Sequence, residues 1–176
     1  MIKISFGNKY MPSEQNLFFE EAKKIANNSL CRSAKVGAII VSKDNEIIGK
    51  GYNTIPDKIS SCLSLNFCPR RRILRIIPNF PYQHSCQAIH AEQNALLSVN
   101  NKSMLKDSSL FLYGIKSICD NCRLLLISQG IKDFYIKQNE TCPVEIFNIQ
   151  DLINIENLKF KNRINLLSMI KAIFKK

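Results

Sequence analysis

Leu17, Phe18, Ala22, Ile25 and Ala26 recur at the spacing of one helical face, leaving Glu20, Glu21, Lys23 and Lys24 for water. The pattern predicts a helix from about Glu14 to Leu30, with Ser13 as its cap. Val36 to Val41 is a continuous apolar run, the mark of a strand buried on both faces. After the turn residues Lys43-Asp44-Asn45-Glu46, Ile47 to Tyr52 returns as a second strand, so the two predict a hairpin. From Asn53 to Ser85 periodicity breaks down, with Pro56, Pro69, Pro78 and Pro81 in one irregular insertion. Such insertions inside a compact domain are functional or tied down by something. Order returns with a helix over Ala88 to Val99, whose inner face is Ala91, Ala95, Leu96 and Val99. A short strand Leu110 to Tyr113 follows, then a helix Cys119 to Gln129 closed by Gly130, and a strand Ile131 to Ile136. This order predicts an α/β fold, a sandwich with helices on both faces of one sheet. Val144 to Phe147 is a candidate further strand, and Asn162 to Lys176 reads as a basic amphipathic helix with a stripe of Ile164, Leu167, Ile170 and Phe174. Packing of that helix on the domain or on a sister subunit is preferred to membrane binding, because the domain needs a cover.

A chain of 176 residues suits one domain, placed here at 13–150, with 151–176 as the helical appendage. Its 45% apolar and 22% charged residues exclude a disordered tail, a fibre and a small disulfide scaffold. No stretch approaches the ~20 apolar residues of a membrane span, and Met1 to Asn16 lacks the apolar run of a signal peptide. A cytoplasmic location is therefore expected, where seven cysteines serve as metal ligands or core residues rather than disulfides. The formal charge of +11 favours anionic partners: nucleotides, nucleic acid or an acidic membrane face. Abundant Asn, Ile and Lys, as AT-rich coding produces, account for the excess equally well, so charge alone locates no site.

Two short motifs carry chemistry. His90-Ala91-Glu92 opens one predicted helix and Cys119-Asp120-Asn121-Cys122 the next. Zinc takes nitrogen and sulfur ligands tetrahedrally, and a catalytic zinc keeps one position for water, so one His and two Cys form a set of the right size. Residues three apart share a helical face, which lets Cys119 and Cys122 aim at one ion. Helix N-termini favour thiolate. His90 and Glu92 are two apart and do not share a face, so Glu92 belongs beside the water rather than on the metal. Either motif alone is weak; together they resemble the zinc deaminase signature, H-x-E followed by P-C-x-x-C, with Ile118 in the place of the proline.

Cys86-Gln87-Ala88-Ile89-His90-Ala91-Glu92-Gln93-Asn94-Ala95-Leu96-Leu97 resembles the deoxycytidylate deaminase branch of the cytidine deaminase superfamily, as do Lys35 to Val41, Gly51-Tyr52-Asn53 and Gln129-Gly130-Ile131-Lys132. The likeness runs from about Ser13 to Lys137. It implies a three-layer α/β/α sandwich with a mixed sheet of about five strands. It further implies Zn2+ on His90, Cys119 and Cys122, proton transfer by Glu92 and a sugar contact from Asn53. The implied reaction is hydrolytic deamination of a cytosine nucleotide, dCMP to dUMP and ammonia, by a homo-oligomer. Cys62, Cys68, His84 and Cys86 crowd the insertion where some relatives hold a structural zinc, and they are the candidate second site. Cys31 and Cys142 read as ordinary buried cysteines. Arg32, Arg70, Arg71, Arg72 and Arg75 are candidates for phosphate, because a guanidinium fork matches its oxygens.

Several positions depart from the family. Ile118 stands where proline precedes the first Cys, Thr54-Ile55-Pro56-Asp57 replaces a glycine-rich continuation, Gly114 replaces a threonine, and Ile136 a tyrosine. These changes touch substrate choice and nucleotide regulation, not the ligand set. Two other readings stand beside the first: a polynucleotide deaminase, motivated by charge, and a zinc-stabilised binding module without catalysis. Glu92 argues against the module, which has no use for an unligated carboxylate.

Overall fold

The computed structural model describes residues 13–56, 59, 62, 64–68, 71–72, 76 and 86–173, with backbone alone at 13–14 and 163–173. Its order is α1 (Ser13–Ala26), β1 (Gly37–Val41), β2 (Ile47–Tyr52), α2 (Ala91–Ser98), β3 (Ser109–Tyr113), α3 (Asp120–Ser128), β4 (Asp133–Lys137), β5 (Glu145–Asn148) and α4 (Ile149–Ile173). One five-stranded sheet runs β2-β1-β3-β4-β5. The β1–β2, β1–β3 and β4–β5 pairs are antiparallel and β3–β4 is parallel, so the sheet is mixed.

Alternation along the strands sorts the core into two sides. Ile39, Val41 and Phe111 face α1, meeting Phe19, Ala22 and Ile25, and Phe111 stacks on Tyr135 at 4.5 Å between centroids. Ala38, Ile40, Leu110, Leu112, Phe134 and Ile136 face the other way, against Ala91, Ala95, Leu96 and Leu126 of α2 and α3 and Leu152 of α4. The expected three layers are present.

The differences from expectation are local. Phe19, not Leu17, is the buried anchor of α1: Phe19 is 1% exposed and Leu17 69%. The helix stops at Ala26 because Ser29 turns back to donate its hydroxyl to the Asn53 carbonyl at 2.8 Å. Helix α2 starts at Ala91 rather than Ala88, since Ile89 pairs with Thr54 as an isolated bridge instead of joining the helix. The last helix begins at Ile149, well before Asn162. Its start is set by a reciprocal cap, in which the Asn148 N–H donates to Asp151 Oδ2 at 3.0 Å and the Asp151 N–H to Asn148 Oδ1 at 2.9 Å. The stripe Ile164, Leu167, Ile170 and Phe174 lies outside the side chains described. Among the described residues no helix is long and apolar enough to cross a membrane.

Two glycines set distances that matter for the site. Gly114 has φ +97°, and a Cβ there would meet the Lys35 carbonyl oxygen at 2.1 Å, so the position has no room for a side chain. Gly51 lets β2 lie directly on α2: a Cβ would come within 2.2 Å of Ala95 N and 2.4 Å of Ala91 O. The contact is backbone to backbone, so no rotamer relieves it. Gly51→Ala is expected to cost about 1–3 kcal/mol in urea unfolding, the scale of overpacking, by forcing α2 off the sheet.

Candidate metal centre

His90 and Cys119 are both N-cap residues, of α2 and α3, with extended backbone (φ −73°, ψ 155° and φ −70°, ψ 159°). Both cysteine sulfurs lie against the same ring nitrogen. Cys119 Sγ lies 3.3 Å and Cys122 Sγ 3.4 Å from His90 Nδ1. The three ligand atoms lie within 4.8 Å of one another. Tetrahedral zinc with Zn–N of about 2.0–2.1 Å and Zn–S of about 2.3 Å requires N···S near 3.5 Å, so the three donors fit that ion.

Both sides of the cluster are anchored. Ile89, next to His90, exchanges two backbone hydrogen bonds with Thr54 (3.1 and 2.8 Å), and Gln93 Oε1 accepts from the His90 N–H at 2.9 Å. Asn94 donates its amide to the Tyr52 carbonyl at 2.7 Å, tying α2 to the end of β2. On the other helix Cys122 is buried and Cys119 half-buried, with the Arg123 N–H donating to the Cys119 carbonyl at 2.9 Å.

The electrostatics suit a cation. Cys122 donates a hydrogen bond to Cys119, which pulls the Cys119 thiol down, helped by His90 and the Cys122 backbone N–H, and pushes Cys122 up. Glu92 is 3% exposed, and burial raises its pKa above the ordinary carboxylate range against the opposing pull of its own N–H and of His90. Its charge is felt by the cluster, with His90 stabilising the carboxylate and Cys119 opposing it.

A sequence profile of the cytidine and deoxycytidylate deaminase zinc-binding region matches residues 12–138. The chain belongs to this deaminase family. It is 33% identical over 125 residues to the deoxycytidylate deaminase of Mycobacterium phage D29, covering 69% of this chain and 91% of the relative. It is also 30% identical over 131 residues to that of Schizosaccharomyces pombe and 32% over 108 residues to the human one. Those alignments take in 74% and 61% of this chain but only 37% and 55% of the relatives, so the chain spans about half or less of their length. The dCMP deaminase of cyanophage S-TIM5, solved with dCMP and dUMP, shares the fold at TM-score 0.52 and 24% identity, covering 75% of this chain and 88% of that one. The matched segment contains both motifs, and the grouping of His90, Cys119 and Cys122 is consistent with the zinc that the family's description names.

The remaining candidates are placed as follows. Asn53 is buried, and its amide is engaged with the preceding segment: Oδ1 accepts from the Val36 N–H at 2.8 Å and Nδ2 donates to the Ala34 carbonyl at 2.9 Å. Cys62, Cys68 and Cys86 line one cavity of about 40 Å3, far smaller than the ~300–1,000 Å3 of nucleotide-sized sites. Cys31 lines it too; it is half-buried, not the ordinary core residue that the sequence suggests. Cys142 is likewise half-buried. No three of these sulfurs approach as closely as the His90 trio among the described residues. Burial, then the neighbouring Cys68, Cys31 and Cys86, push the Cys62 thiol up. His84, Arg70 and Arg75 lie outside the described residues. Arg32, Arg71 and Arg72 are exposed around a groove with Phe67, over whose ring the Arg72 guanidinium sits at 5.0 Å. Sequence reasoning passed over Arg123, 8% exposed beside Cys122; its one signal was the i,i+3 spacing from Asp120.

Proposed function

We propose that this chain hydrolyses dCMP to dUMP and ammonia, using His90, Cys119 and Cys122 to hold zinc and Glu92 to move protons. The observation that carries the reading is a buried carboxyl beside an imidazole and two sulfurs spaced for one tetrahedral ion. When bound, zinc lowers the pKa of the water that it holds from 15.7 to about 7, which supplies a nucleophile at neutral pH. Glu92 takes a proton from the attacking water and gives it to ring N3 as C4 is attacked. The carboxylate, emptied at N3, then takes the proton of the new C4 hydroxyl and passes it to the amine, so that the C4–N bond breaks, ammonia leaves and C4 becomes the carbonyl of dUMP. The carboxyl's burial suits both halves of the task, because a raised pKa lets it give back the proton it takes. Asn53 offers its second amide hydrogen to a sugar hydroxyl, its other groups being fixed by the backbone at Ala34 and Val36.

The relatives' activity supports the base and the phosphate number, with the phage D29 enzyme matched over nearly its whole length. Purified, zinc-loaded protein incubated with dCMP tests the proposal through ultraviolet absorbance and released ammonia. Turnover of dCMP is the expected result. Turnover of single-stranded DNA or tRNA without any of dCMP rejects it in favour of a polynucleotide enzyme.

A second, structural zinc is proposed on Cys62, Cys68 and Cys86, with His84 of the sequence reading or Cys31 as the fourth ligand. The support is that the three line one cavity and that Cys68 and Cys86 bear electrostatically on the Cys62 thiol. Metal analysis is expected to give two zinc per chain, falling to one in Cys62→Ser with catalysis kept; a single zinc in the wild type removes this site. Self-association is proposed through Leu97, Leu124 and Leu125, which stand exposed on α2 and α3, and light scattering of the purified chain measures it.

A further inference from the structure

Arg123 follows the second cysteine of the metal centre, yet only 8% of it is exposed. Its guanidinium reaches in three directions. Nε donates to Glu156 Oε1 of α4 at 2.5 Å, one terminal nitrogen donates to the Ile118 carbonyl at 3.3 Å, and the other pairs with the Asp120 carboxylate. Lys159, one turn beyond Glu156 on α4, closes the group with 2.5 Å to Asp120 and 3.7 Å to Glu156. Two cations thus meet two carboxylates, so the cluster adds no net charge beside the zinc ligands. Asp120 is held below the usual carboxylate range, first by the hydrogen bond from Lys159.

The residues that the fork grips, Ile118 and Asp120, flank Cys119 on both sides. Cys122 needs no such help, since it lies within α3 and is 1% exposed. Cys119 sits outside the helix as its cap, half-buried. Position 118 is also where the signature has proline, a residue that fixes φ at the start of a helix; isoleucine fixes nothing. We infer that Arg123, braced by Glu156 and Lys159 of the C-terminal helix, is a positioning residue that holds the Ile118–Asp120 turn so that the Cys119 sulfur meets the metal. The C-terminal helix is thereby part of the metal centre's support, although it contributes no ligand.

The inference rests on the zinc reading above, and its test separates the two. Zinc affinity of the full chain is measured by competition with a chromophoric chelator, alongside the thiolate-to-metal absorption of the cobalt-substituted protein, for wild type, Arg123→Met and Glu156→Gln. Removal of an outer-shell partner of a zinc ligand weakens binding about 10–100-fold, and that loss is expected for Arg123→Met, with a shifted cobalt spectrum. Glu156→Gln, isosteric and remote from the ion, is expected to lose less in the same direction. Arg123→Lys is expected to stay low, because an ammonium cannot grip Ile118, Asp120 and Glu156 together. A role in stability alone would lower the melting temperature while leaving affinity and spectrum at wild-type values, and that result overturns the inference. Should Arg123→Met fail to fold, Glu156→Gln decides alone: an unchanged chelator titration overturns the inference and a weakened one supports it. A wild-type chain that takes up no zinc at the centre overturns the centre itself, and the inference with it.

Discussion

Glu92→Gln protein is expected to fold, to carry zinc as the wild type does, and to lose about 10²–10⁴-fold in kcat on dCMP, the range that a positioned general acid–base contributes. The amide matches the carboxyl in shape and can neither take nor return a proton. Stability should not fall with activity. Burial is the largest influence on Glu92 and opposes its charge, so a neutral group of the same size is the easier one to keep at 3% exposure. The melting temperature of the variant is expected to equal or exceed that of the wild type. A variant retaining kcat within tenfold would remove Glu92 from the chemistry; one that melts much lower would mean that the carboxyl is structural.

Replacing a ligand should act differently. Cys119→Ser or Cys122→Ser is expected to abolish zinc retention at the centre through purification and to bring turnover to the level of buffer, because the nucleophile at neutral pH depends on the metal. The two variants should part in stability. Cys122 is 1% exposed within the core of α3, where a hydroxyl is costly without a partner, whereas Cys119 is half-buried at the cap. Cys122→Ser is therefore expected to melt lower than Cys119→Ser. Chelation of the wild type should reproduce the loss, and added zinc should reverse it. Activity in either serine variant equal to wild type would end the assignment of these ligands.

Much of this arrangement could be read from the chain, for reasons that differ from element to element. The central strands announced themselves because β1 and β3 are buried on both faces, so Val36 to Val41 and Leu110 to Tyr113 carry apolar residues with little interruption. The metal trio was legible because its donors lie in two short motifs at helix starts; helical spacing aligns Cys119 with Cys122, and the fold brings His90 to both. What failed was decided by contacts distant in sequence. The choice of Phe19 over Leu17 depends on Phe111 and β1; the late start of α2 depends on Thr54; the early start of α4 depends on the Asn148–Asp151 cap. Asn53 shows the same limit: the family resemblance implied a sugar contact, and the folded chain also gives it a structural task, bonded to the backbone of Ala34 and Val36. Arg123 was invisible as anything but surface charge, because its partners Glu156 and Lys159 lie 33 and 36 residues further along the chain.

Anomalous scattering at the zinc edge, from crystals grown with zinc, tests the central claim most directly. A peak bonded at about 2.0–2.1 Å to His90 Nδ1 and about 2.3 Å to Cys119 Sγ and Cys122 Sγ, with the Glu92 carboxyl close by but off the metal, is the expected result. A folded chain with no peak among those three atoms, or with zinc held by the Glu92 carboxylate itself, would contradict it.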